Sequence, residues 1–210
     1  TVEDLLGVDS SWGTQFAADN VVDGWKNNAA ALEVGGLLAD QYRAAAEDLA
    51  ERAIDTRLEA LLDCDPSTVG VGFCARTFAI EQGLRAFRRP LSDDEVDAYM
   101  ALFDTVRADE GYTAGLQWML TAMLQSPHFL YRSELGARQD DGGFALSDWE
   151  IATELSYLFW GTMPDQALFE AARAGELTTA DGLAAQVERL AADPRAAEAV
   201  PVFVSQWLAL

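Results

Sequence analysis

The sequence predicts an all-α protein, a multi-helix bundle of about eight helices with a loop-rich N-terminal region. Long segments rich in Ala, Leu, Glu and Arg carry apolar residues at helical intervals. Two capping boxes mark helix starts: "LSDDEV" pairs Ser92 with Glu95, and "LSDWEI" pairs Ser147 with Glu150. No segment shows the sustained alternation typical of a strand, which favours helices throughout.

The predicted helices are long and separated by proline, glycine and aspartate. They cover 35–63, 73–89, 112–125, 164–175, 179–193 and 194–210, together with the two helices that begin at the capping boxes. Within 73–89, the stripe Phe73, Thr77, Ile80, Leu84 and Phe87 is the predicted buried face. Pro127 disfavours helix at Ser126, so a break is expected there.

Three modules are predicted along the chain. Residues 1–63 form a loop-rich and helical N-terminal module, 64–135 a central helical module, and 136–210 a C-terminal helical module that we interpret as truncated. The sequence "GARQDDGG" (136–143) is the predicted linker between helical units.

The charge of the chain excludes several classes of partner. The 35 Asp and Glu against 14 Lys and Arg give a formal net charge of −21. Nucleic acid is excluded because phosphate binding needs cationic side chains, and an anionic membrane surface is excluded for the same reason. No apolar run is long enough for membrane insertion. Lys26 is the only lysine, which fits either a GC-rich genome or a saline habitat.

Cys64 and Cys74 bracket the loop sequence "DPSTVGVGF". Their position at the two ends of a short loop favours a disulfide over the alternative of two buried free thiols. Neither a CxxC nor a CxxCH motif occurs. A disulfide indicates an oxidising compartment.

The motifs "RAFRRPLS", "SPHFLYR" and "LSYLFWGTMPD", in this order along the chain, resemble those of consecutive domain-of-unknown-function modules. These modules occur in large secreted proteins of planctomycetes and myxobacteria, which often also carry c-type haem domains. The resemblance covers almost the whole chain. It implies a periplasmic, secreted or cell-surface location and a role beside electron transfer or polymer breakdown. It implies no established catalytic residue, and the absence of CxxCH places any c-type haem in other domains of the parent protein.

His128 is the only histidine, and with Arg132 and Glu134 it supplies the catalytic candidates. The chemical reading makes His128 a general base or a ligand to the haem iron of an adjacent domain. The structural reading, which we favour, makes it a mostly buried side chain that hydrogen-bonds to backbone or to a carboxylate.

The loop sequence "ADNVVDGWKNN" offers Asp19, Asp23 and Asn27 as calcium ligands. Its spacing does not match an EF-hand, and Asx residues also build turns on their own. We therefore favour turn formation and predict no metal or other cofactor within the chain.

The arginines Arg85, Arg88 and Arg89, with Arg132, allow two interpretations. They suit an anion clamp, because guanidinium groups grip carboxylates in bidentate fashion. Internal pairing with some of the many carboxylates is the favoured alternative.

The tryptophans raise the question of a carbohydrate platform. Trp118, Trp160 and Trp207 lie in apolar helical stripes and are predicted to be core. Trp12 and Trp25 lie in the looser N-terminal region and are the better surface candidates, although packing is favoured for them too.

These observations favour a non-catalytic helical scaffold or interaction module of a secreted multidomain protein associated with c-type haem electron transfer. Its expected partners are neighbouring domains of the same polypeptide, with a polysaccharide or a redox protein as the further class. The alternative is part of an extracytoplasmic oxidoreductase or polymer-degrading enzyme whose site is completed by segments outside this chain.

Overall fold

The computed structural model describes residues 1–18 and 32–208, and within these ranges the protein is mainly α-helical. The helices are α1 (Val2–Leu6), α2 (Gly36–Leu61), α3 (Pro66–Val69), α4 (Val71–Phe87), α5 (Asp93–Glu110), α6 (Tyr112–Gln125), α7 (Pro127–Leu130), α8 (Asp148–Trp160), α9 (Gln166–Arg173), α10 (Ala180–Ala192) and α11 (Ala196–Leu208). A 3-10 turn spans Trp12–Thr14. The all-α prediction is confirmed; the additional helices α1, α3 and α7 are single turns.

The described residues form two compact units, the first made of Thr1–Thr14 and Asp40–Ser133. Its core lies among α4, α5 and α6, which pack against one another. Six large side chains there are at most 1% exposed: Phe78, Phe103, Leu116, Met119, Leu120 and Met123. Helices α5 and α6 approach so closely that a Cβ on Gly115 would lie 2.7 Å from the Phe103 ring.

The second unit is made of the described residues within Gln15–Ala39 and Glu134–Leu210. Helix α8 packs against α9, α10 and α11, and its core includes Leu155, Leu168, Leu177 and Leu190. No helix within residues 1–18 and 32–208 is long and apolar enough to cross a bilayer.

The segment 136–143, predicted as a linker between helical units, forms most of a short β-hairpin. Strand β1 (Ala137–Arg138) pairs with β2 (Phe144–Ala145) in antiparallel register. The turn closes because the Asp141 carboxylate accepts a hydrogen bond from the Gly143 amide at 2.8 Å. Two-residue strands are too short to produce an alternating pattern, which explains why the sequence indicated only a loop.

Charged residues also hold the helix ends of the second unit together. Asp165 caps α9 through the Leu168 amide and pairs in bidentate fashion with Arg189 of α10 at 2.8 and 3.0 Å. The Arg195 guanidinium lies 3.5 Å from the centroid of the Trp160 ring. Trp160 also packs against the core of the second unit, as predicted. Trp118 and Trp207 are 41% and 65% exposed, so their predicted core positions are wrong.

The disulfide between Cys64 and Cys74 is formed, with the two Cα atoms 5.8 Å apart. It fastens the α3 loop to the first turns of α4, as the position of the cysteines predicted. Cys74 is fully buried.

The predicted buried stripe of α4 is correct only in its C-terminal half. Leu84 and Phe87 are buried, but Phe73 is 61% and Ile80 42% exposed. The buried face of the N-terminal half instead includes Cys74 and Phe78. The helix is apolar on both faces, so periodicity alone did not identify the face that packs inward.

Both capping boxes are confirmed. The Ser92 hydroxyl accepts a hydrogen bond from the Glu95 amide, and the Ser147 hydroxyl accepts one from the Glu150 amide. In return, each serine amide donates to the carboxylate of its glutamate. Glu150 also accepts bonds from the Leu135 and Gly136 amides, which attach the hairpin to α8.

We expect Ser92→Ala and Ser147→Ala each to lower the free energy of unfolding by about 0.5–2 kcal/mol. Each substitution leaves a helix-start amide without its side-chain acceptor. Urea unfolding followed by circular dichroism measures the effect, with the exposed Ser133→Ala as the matched control. Equal stability of all three variants would contradict a stabilising role for the two boxes.

Candidate functional site

The candidate site lies in the first unit, where α4 ends and α7 begins. Arg88, the C-cap of α4, has φ 58° and is the one non-glycine residue with positive φ among the described residues. It is only 4% exposed. Its Nη2 donates to the carbonyl oxygens of His128 at 2.6 Å, Tyr131 at 2.8 Å and Phe129 at 3.3 Å. These carbonyls lie at the C-terminal end of α7, where helices lack internal donors.

The N-terminal end of α7 is held by Ser126. This residue is extended (φ −65°, ψ 139°), and its hydroxyl accepts a hydrogen bond from the His128 amide at 3.2 Å. The break predicted from Pro127 is therefore confirmed. Ser126 also shares a side-chain hydrogen bond with Tyr99, and burial raises the pKa of the Tyr99 hydroxyl to about 12.

Glu95 is the most strongly bound carboxylate of the site. Arg89 donates to it in bidentate fashion at 2.9 and 2.7 Å, and the Ser92 amide donates to it at 2.8 Å. The hydrogen bonds from Arg89 are the main reason that the pKa of Glu95 falls from its ordinary value near 4.5 to about 2. Glu95 is therefore a carboxylate at neutral pH rather than a proton donor.

His128 lies at the surface above this ion pair. Its Nε2 is 3.7 Å from Glu95 Oε1, its ring centroid is 5.3 Å from that of Phe87, and its side chain is 50% exposed. The prediction of a mostly buried histidine is wrong, because α7 is a single surface turn whose backbone, not its imidazole, contacts Arg88. The expected carboxylate is present, at ion-pair rather than hydrogen-bond distance.

The other candidates are distributed as follows. Arg132 and Glu134 are both exposed, after the end of α7. The calcium candidates Asp19, Asp23 and Asn27, and likewise Trp25, lie outside the described residues. Within residues 1–18 and 32–208, no group of three or more His, Cys, Asp or Glu side chains is arranged to hold a metal ion.

The three arginines of "RAFRRP" all form hydrogen bonds with other residues of the same chain. Arg85 donates to the Asp4 carbonyl oxygen at 2.8 Å, Arg88 to the α7 carbonyls and Arg89 to Glu95. Burial lowers the pKa of Arg85, with Asp4 and Glu81 acting against it. Internal pairing with carboxylates was the favoured interpretation, and Arg89 shows it with Glu95; Arg85 and Arg88 donate to backbone oxygens.

Sequence reasoning missed Glu95, Arg89 and Tyr99 as neighbours of His128. The capping box identified Glu95 as a helix-start residue, and the motif "RAFRRP" pointed to the arginines. Nothing in the sequence indicated that α7 packs beside them, since that contact joins segments about 30 to 40 residues apart.

Ser126, His128 and Glu95 are the residue types of a serine hydrolase triad, but their bonds serve the fold. The Ser126 hydroxyl caps α7 and binds Tyr99, and Glu95 binds Arg89 and Ser92. A triad instead needs a hydroxyl directed at the imidazole and an acid that orients it. The arrangement is that of a helix junction with an exposed imidazole.

Three protein families match consecutive segments of the chain. Residues 1–55 match PSD3 (Protein of unknown function, DUF1587), 74–134 match PSD5 (Protein of unknown function, DUF1595), and 146–210 match PSD4 (Protein of unknown function, DUF1592). The three matches support consecutive domain-of-unknown-function modules along the chain. The His128 junction lies wholly within the PSD5 match. No curated protein and no solved structure matches the chain.

We expect Arg88→Lys to lower the free energy of unfolding by about 2–4 kcal/mol. An ammonium group cannot reproduce the forked contact with three carbonyls and leaves some of them without a donor. Arg138→Lys, in the exposed hairpin, is the control and should change stability by less than about 0.5 kcal/mol. Similar effects of the two substitutions in urea unfolding would rule out the role assigned to Arg88.

Glu95→Gln should destabilise the protein at neutral pH by an amount that disappears in acid. Because the pKa of Glu95 is depressed in the folded state, its carboxylate stabilises the fold above the unfolded pKa, and this stabilisation is lost as pH falls toward about 2. Urea unfolding of both proteins between pH 7 and about 2 measures the difference. A difference independent of pH would contradict the ionic origin of the effect.

Proposed function

We propose that the chain is a non-catalytic helical module that holds or orients neighbouring domains of a secreted multidomain protein associated with c-type haem electron transfer. The observation that carries this proposal is the use of the charged groups around His128. Arg88, Arg89 and Glu95 are all bonded to helix ends or to one another, so the groups best suited to proton transfer or anion binding stabilise the junction.

The three-module organisation supports a role in a larger assembly. Consecutive modules of unknown function follow one another along the chain, and we propose boundaries at 1–63, 64–135 and 136–210. The expected partners are neighbouring domains of the same polypeptide, with a polysaccharide or a redox protein as the further class.

The disulfide supports a periplasmic, secreted or cell-surface location, because such bonds persist in oxidising compartments. Any c-type haem belongs to other domains in this proposal. The sequence has no CxxCH, and its two cysteines are bonded to each other.

The second candidate is part of an extracytoplasmic oxidoreductase or polymer-degrading enzyme whose site is completed elsewhere. One observation favours it: the single histidine is half exposed and lies 3.7 Å from a carboxylate. An exposed imidazole next to Glu95 is available to a group supplied by another domain.

The two candidates differ in what His128→Gln does to the full-length parent protein. The scaffold role predicts unchanged activity and unchanged cofactor spectra, with stability lowered by less than about 1 kcal/mol, because the contact with Glu95 is exposed to solvent. Activity assays, absorption spectra, cofactor masses and melting temperatures give the comparison. Loss of activity at an unchanged melting temperature would contradict the scaffold role and favour the second candidate, part of an enzyme.

A further inference from the structure

We draw no further inference here: the strongest candidate, a cavity of about 620 Å³ lined by residues 54–60 of α2 and by Thr113 of α6, carries nothing because Arg57 does not share a face of α2 with Asp55 and Glu59, and nothing in the structure shows what would occupy the cavity.

Discussion

The buried guanidinium of Arg88 is the contact on which the first unit's helix junction depends. Helix α7 is a single turn, and a helix this short is unstable without external bonds. Arg88 supplies them by donating to three carbonyls at its C-terminal end. The left-handed backbone at Arg88 costs on the order of 1–2 kcal/mol, but it turns the chain so that consecutive arginines reach different targets. Arg88 binds α7, while Arg89 binds Glu95 at the start of α5.

The acidity of the chain makes this use of arginine informative. With 35 carboxylates and 14 cationic side chains, a surface arginine has many acidic neighbours to choose from. Arg85 and Arg88 nevertheless donate to backbone carbonyls, which are directional acceptors at fixed positions. A buried guanidinium stays charged, so it must be matched by several acceptors, and helix ends offer them together. The contact with Arg88 fixes the backbone of His128, whereas the imidazole of His128 is exposed at the surface.

Local features of the fold could be predicted from the sequence, and the packing of faces could not. Four local features were predicted correctly: the capping boxes of Ser92 and Ser147, the break at Pro127 and the disulfide. Each depends on residues within about ten positions of one another, so a short sequence pattern indicates it. The buried side of α4 has no such local signal, because both of its sides are apolar and packing against other helices, α5 and α6 among them, selects one. The exposure of His128 and its contact with Glu95 likewise depend on where α7 packs, which no short pattern encodes.

The disulfide loop lies between two of the matched family segments. The PSD3 match ends at residue 55 and the PSD5 match begins at Cys74, so Val69, Val71 and Phe73 lie in the segment between them. The disulfide ties this segment to the first residue of the PSD5 match. A connecting segment fixed to a rigid helix can present side chains without weakening the core that supports it, which is how binding surfaces are commonly built. Cys74 and Phe78 anchor the inner side of α4 in the core, so the disulfide fixes the segment to a helix that is itself held in place.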